Sequence, residues 1–564
     1  MATKAAAPTA GEIAQKTSWL PLAIIVMAQL QMGFNINALP VSIGPIVEDL
    51  NTPATSVATG LVLYSLFVAA FVMLGAKIGK LFGERLVFQV SAVVHGASML
   101  LMVFATDAQA MNLAQIIAGV AAAALVPTLV VLIAANYGGR QQEQSLGILA
   151  SIPAIASGLG FVIAGFIATF LSWRYSFGLI FVLSILVLIF SFRLSPVPRQ
   201  RNIKIDFVGV ILSATAIMLM LIGFNNFNNW GILLANPAAP FSILGLSPAL
   251  FMIVLGLIFG QGFFAWSERR VARDKTPLLA LEVLDSREER NAVYSFLVAG
   301  GYGAAISFLI PLYIQFVQGG SPLSTSIAII PYAIAVAVAA MFSVRLYGRF
   351  TPRLMGMAAF VLAAIGMTIV AFTVSNDWGT PSVILGLLIA GIGEGVLLTL
   401  LFNVLVSASP KELAGDVGAL RGVVNNVSSA LGAAFASVLA VGILGLLLVA
   451  GFNQSNLPAS LKIELNLDQV NFVSNAQLQD FLATTSATPE EVAIAVRINE
   501  EARLRALRES FLLLALISLL AIFPASKLPG YVPGELSSKD IVDEEGRRNR
   551  TKPKLGKGAA KPKS

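Results

Sequence analysis

Cysteine is absent from the 564 residues, and histidine occurs once, at His95. These absences exclude disulfides, thiol nucleophiles and Cys/His zinc sites. Charge is also scarce. Only 12% of residues are Asp, Glu, Lys or Arg, against about 25% in a soluble domain. An enzyme embedded in apolar segments would need a nucleophile, a metal cluster or paired carboxylates there. Those segments hold one histidine and one deeply placed glutamate, so no enzyme, metal or cofactor is expected. The formal net charge of +7 is spread among loops, which speaks for membrane topology before nucleic acid.

What the chain has in abundance is hydrophobicity, at 57% of residues. About fourteen apolar runs approach the roughly 20 residues that cross a bilayer core at 1.5 Å per residue. They lie near Trp19–Ile43, Ala54–Gly75, Leu86–Phe104, Leu113–Ala135, Gly147–Leu171, Tyr175–Leu194, Asp206–Phe224 and Pro248–Trp266. The last six lie near Ala292–Val317, Thr325–Arg345, Leu354–Val374, Pro381–Ser407, Val417–Ala450 and Ser510–Pro524. Lipid offers no hydrogen bonds to the backbone, so such runs must be helices. The expected fold is an all-α membrane bundle of about fourteen helices. The first run is too long for a signal peptide and reads as a retained span.

Loop lengths divide the spans into six, two and six. This predicts an N-terminal tail (1–18), a six-helix half (19–194), two linker helices with their loops (195–290) and a second six-helix half (291–526). A basic tail (527–564), rich in Pro, Gly and Lys, reads as disordered. Two pseudo-symmetric halves with substrate held between them are common in secondary transporters. With both ends in the cytoplasm, only Arg174, Lys462, Arg497, Arg503, Arg505 and Arg508 of the 37 basic residues fall outside. That is a strong positive-inside bias. The long loop 452–509 is then external. Its Ser474–Gln477 and Thr488–Glu491 segments read as capping boxes, the second with Pro489 at the first helical position. That second helix is expected to run through Arg503 and Arg508 into the last span.

The segment Phe308–Pro331 carries Pro311, Tyr313, Gln315, Gly319, Ser321, Pro322, Leu323 and Pro331. With Ala38-Leu39-Pro40, the run Ser172–Phe177, and Pro410-Lys-Glu412 followed by Gly415 and Gly432, it resembles the major facilitator superfamily. Within that superfamily it is similar to the fourteen-span drug:proton antiporter branch. The resemblance implies a secondary transporter, monomeric in the bilayer, that exports a small amphiphilic or cationic molecule in exchange for protons. It implies gating or structural roles for Pro311, Tyr313, Gln315 and Pro331, for Gly158, Gly160 and Gly165 of the fifth span, and for Lys80, Gly83 and Arg85 after the second. The chain departs from the family at four places. Gln31 stands for the usual acid of the first span, and Gln115 for the arginine of the fourth. Lys80-Leu81 stands for an Asp-Arg pair, with Glu84 for the next arginine, and Phe161 for a proline. An uncoupled facilitator, a lipid or amphiphile flippase, and a non-transporting sensor on the same fold therefore stay open.

The residues themselves offer a replacement for the missing acid. Glu394, in IAGIGEGVLLTLLFN, is the only carboxylate well inside a predicted span. Ionised there it would cost about 2.5 kcal/mol or more, so it should face a cavity or carry a proton. Its neighbours Gly391, Gly393 and Gly395 permit close helix approach or leave room for water. Gln31 and Asn35 share one face of the first span. With Gln115, Asn403, Asn425 and Asn426, they are candidates for the transport path or for interhelical glue. His95 reads as a hydrogen-bonded structural residue or, alternatively, a proton relay.

Overall fold

A computed structural model describes residues 18–530 apart from 138, 201–202, 285, 347–348, 376, 409–413, 456–474 and 486. Most of the expected tails, the Pro410–Glu412 motif, the Ser474 cap and much of the long loop lie outside the described residues. Among those described, the chain is helical, and isolated bridges at Leu234, Ile243 and Leu246 are its only β pairing.

Fourteen long helices follow one another. The first six are α1 (Leu20–Val41), α2 (Ala54–Phe82), α3 (Glu84–Val103), α4 (Ala108–Asn136), α5 (Gly139–Phe170) and α6 (Trp173–Ser191). Next come α7 (Phe207–Asn225) and α8 (Pro248–Val271). The last six are α9 (Arg287–Leu312), α10 (Pro322–Leu346), α11 (Pro352–Thr373), α12 (Pro381–Ala408), α13 (Ala414–Gln454) and α14 (Pro489–Leu520). Thirteen of these segments are long and apolar enough to span a membrane. The other, α5, opens with the polar run Arg140–Gln144 and is apolar and uncharged in sequence from Leu146 to Phe170.

The helix ends follow local chemistry. Ser286 and Thr488 close capping boxes with Glu289 and Glu491 at the starts of α9 and α14. Each box satisfies two otherwise orphaned backbone donors. Pro489 occupies the first turn of α14, which continues unbroken through Arg503 and Arg508 to Leu520, as its sequence predicts. The last span is therefore the C-terminal part of a 32-residue helix. The α13 helix is longer still, at 41 residues, and exceeds what a bilayer core requires.

Packing repeats with a period of eight helices. In one half α2 packs on α4, α3 on α4 and α6, and α1 on α5; in the other α10 packs on α12, α11 on α12 and α14, and α9 on α13. Between the halves, α5 meets α10 and α13 meets α2, the same pairing after exchange of halves. The α7–α8 hairpin is pinned by Asp206, which accepts from Trp266 Nε1 at 3.0 Å and pairs with Arg270 at 3.4 Å. Its α7 helix lies against both α2 and α13.

The fifth-span glycines are contact points. A Cβ on Gly158 would lie 3.5 Å from Ala333 of α10, and one on Gly160 would lie 3.2 Å from Asn37 of α1. At Gly165 a Cβ would collide with Ser326 Oγ and lie 2.9 Å from the Pro322 carbonyl. Gly165→Val should therefore separate α5 from α10 and destabilise the fold by about 1–3 kcal/mol. A lower yield of monodisperse protein in detergent and a lower melting temperature are expected; an unchanged melting temperature would contradict this packing.

Candidate functional site: a buried carboxyl between two latches

The α9, α10 and α12 helices converge around Glu394. Its side chain is 6% exposed, and Tyr332 of α10 donates its hydroxyl to Oε2. Gly303 of α9 lies so close that any side chain there would collide with the carboxyl. The adjacent Tyr302 is also buried and donates to the Ala363 carbonyl at 3.0 Å. The glycines flanking Glu394 serve close approach: a Cβ on Gly391 would lie 2.5 Å from the Tyr332 carbonyl, and one on Gly393 the same distance from that of Ala359. Among the described residues no cation pairs with Glu394. A carboxyl at this depth with one hydroxyl donor can exchange a proton when the local opening changes.

The amides of the first half form two separate contacts. Asn35 and Gln115 exchange hydrogen bonds at 3.0 and 3.3 Å, joining α1 to α4. Gln31, one turn away, accepts from Ser184 Oγ of α6 at 3.0 Å, and its Nε2 has no partner among the described residues. His95 is fully buried, and neither ring nitrogen has a partner there. In the second half, Asn426 is buried and donates to the Gly422 carbonyl at 2.9 Å, while Asn403 and Asn425 are half-buried. Glu394 and the first-half amides thus belong to different helix clusters.

The family-like segment after α9 joins the halves at one face. Following Pro311, the helix widens into a π-turn over Tyr313–Val317, where proline has removed an ordinary backbone bond. This turn aims Gln315 at α1. Its Nε2 donates to the Val41 carbonyl at 2.9 Å and Thr325 Oγ1 at 3.2 Å, and its Oε1 accepts from Gly44 N at 2.8 Å. Tyr313 stacks edge-on with Trp378. Pro331 lies within α10, one residue before Tyr332. Nearby, Thr169 Oγ1 accepts from Leu323 N at 3.0 Å.

A second link lies at the opposite, basic face. Lys77 pairs with Asp416 at 3.2 Å and Lys80 with its other oxygen at 3.8 Å. These contacts tie the end of α2 to the first turn of α13. Ala280 N, in the connector after α8, also donates to Asp416, at 3.4 Å. Gly83 has φ +98°, a backbone region that favours glycine. Arg85 donates to the Phe192 carbonyl at 2.8 Å, within its own half. Lys80 is thus the arm of an interhalf bridge, whereas Gly83 and Arg85 shape the turn and hold α3 to α6. Asp416 is the partner that sequence reading missed, 336 positions from Lys80.

Two pseudo-symmetric helix bundles, joined at both faces and with a buried carboxyl inside the second, define a multi-pass membrane transporter rather than an enzyme. The family model of the Major Facilitator Superfamily matches residues 25–433, and the chain belongs to that family. It is 26% identical over 441 residues to the puromycin resistance protein pur8 of Streptomyces alboniger, covering 75% of this chain and 82% of the relative. It is 25% identical over 424 residues to the multidrug efflux pump LfrA of Mycolicibacterium smegmatis, covering 74% and 80%. Among solved structures, it is similar to a bacterial homologue of the human lysosomal transporter Spinster. That match has a TM-score of 0.56 at 15% identity and covers 92% of this chain and 98% of the other.

Proposed function

We propose that this chain exports small amphiphilic molecules across the cell membrane by alternating access, exchanging them for protons at Glu394. The carrying observation is Glu394 itself, buried among three helices with Tyr332 as a polar partner. Each half supplies one side of the latches: Lys77 and Lys80 against Asp416 at the basic face, and Val41 and Gly44 against Gln315 at the other. Opening either face requires its latch to break while the other holds, as rocking halves demand. The names of the multidrug efflux pump LfrA and of the puromycin resistance protein pur8 support export as the direction. In an efflux-deficient bacterium, expression should raise resistance to puromycin or a quinolone. Unchanged resistance, with no flux of either compound in purified vesicles, would contradict these substrates.

An apolar cavity of about 420 Å³ favours an amphiphilic cargo and leaves a flippase as the second reading. Phe224, Phe227, Gly301 and Gly432 are among its lining residues, as is Tyr302, the neighbour of Gly303 at the Glu394 site. A fluorescent phospholipid translocated without a pH requirement would favour the flippase.

The basic clusters support a topology with both termini in the cytoplasm. Arg199 and Asp480 are exposed at opposite faces in this topology. In the natural cysteine-free background, Asp480→Cys should react with an impermeant maleimide in intact cells, and Arg199→Cys only after permeabilisation. The reverse pattern would invert the topology.

A further inference from the structure

Arg421 lies seven residues into α13, about 10 Å along the helix. Its guanidinium carbon sits 3.9 Å from the centre of the Phe402 ring of α12. Stacking occupies the planar face of the group and leaves its in-plane N–H donors free. Arg421 makes no hydrogen bond or ion pair among the described residues. The acid nearest in sequence on its helix, Asp416, is engaged by Lys77 and Lys80. Cation–π attraction offsets only part of the cost of a charge at this depth.

The surroundings place this cation at the seam between halves. The next residue, Gly422, packs against Val72 of α2 and Val126 of α4 in the other half. Asn425 lies one turn further along α13, and Asn403 adjoins Phe402; like Arg421, both are half-buried. The arrangement offers an aromatic wall and a forked cation, with an asparagine one turn along the cation's own helix. We infer that Arg421, backed by Phe402, binds the oxyanion group of an amphiphilic substrate: a carboxylate, sulfonate or phosphate. This inference rests on the transporter reading and adds amphiphilic oxyanions to its cargo. Two oxygens of such a group can accept two parallel bonds from the fork, which lysine cannot supply.

The test compares equilibrium binding of 1-anilinonaphthalene-8-sulfonate and its uncharged relative N-phenyl-1-naphthylamine to the purified full chain, with protein-free micelles subtracted. The natural protein should bind the sulfonate at least tenfold more tightly than the amine. Arg421→Gln should erase that preference while leaving amine binding unchanged, and Arg421→Lys should retain part of it. If Arg421→Gln does not fold, Arg421→Lys and Phe402→Leu carry the test, each with a reduced preference for the sulfonate. Equal sulfonate binding by the natural protein and every folded variant would overturn the assignment. Displacement by naphthalene-1-sulfonate, but not by phosphatidylglycerol in the micelles, would assign the site to a diffusible amphiphile. Displacement by phosphatidylglycerol alone would identify a lipid headgroup and overturn the substrate assignment. Because binding needs no proton gradient, it can fail while gradient-driven transport persists, or persist while transport fails.

Discussion

Replacing Asp416 with lysine is expected to lower transport at least tenfold. The natural carboxylate sits between Lys77 and Lys80 and joins α13 to α2; the substitution would bring three cations together. These pairs are largely shielded from solvent, with side-chain exposures of 14% for Lys77, 25% for Lys80 and 9% for Asp416. Their loss should therefore cost more than the about 1 kcal/mol of an exposed pair and less than the about 3–5 kcal/mol of a fully buried one. The lost stability belongs to the conformation closed at the basic face, so the population should shift toward opening there. Reaction of Ala76→Cys with maleimide from that face should rise in step. Adding Lys77→Asp and Lys80→Asp should restore part of the transport by reversing both sides of the bridge. Unchanged transport and unchanged Ala76→Cys reactivity in Asp416→Lys would remove the latch from the mechanism.

The other large effect concerns Glu394. Glu394→Gln should reduce pH-gradient-driven flux at least a hundredfold while retaining substrate exchange at equal pH. Glutamine preserves size and can accept from Tyr332, but it cannot bind and release the coupling proton. Glu394→Asp should keep part of the flux, because the carboxyl remains on a shorter stem. Tyr332→Phe should have a smaller effect, since it removes the hydroxyl donor but leaves the titrating group. Gradient-driven accumulation by Glu394→Gln at the natural rate would exclude Glu394 as the proton carrier.

Local periodicity reveals the membrane helices because bilayer thickness imposes a length on each apolar run. The Thr488–Glu491 cap is equally readable, since its chemistry is confined to one turn. The fifth span is legible too: α5 begins with a polar stretch at Arg140–Gln144, and the apolar run follows from Leu146. Long-range partners leave weaker traces. Nothing near Gln315 points to Val41 or Gly44, and nothing near Lys80 points to Asp416. Gln31 and Asn35 share a predicted face, yet their side chains meet different helices, at Ser184 and Gln115. Arg421 did leave a local signal, a cation inside the predicted thirteenth span. A search directed at missing acids and family motifs passes over it, although any charge at membrane depth is informative.

The most direct measurement is proton movement on addition of substrate. Purified protein would be reconstituted in acid-loaded vesicles with a pH dye in the lumen, and puromycin or a quinolone added outside. Proteins inserted inside-out should move substrate inward and protons outward, so the lumen should become alkaline as substrate accumulates. Both signals should vanish in Glu394→Gln. Substrate accumulation with no change in lumen pH, or the natural proton signal in Glu394→Gln, would contradict exchange at Glu394.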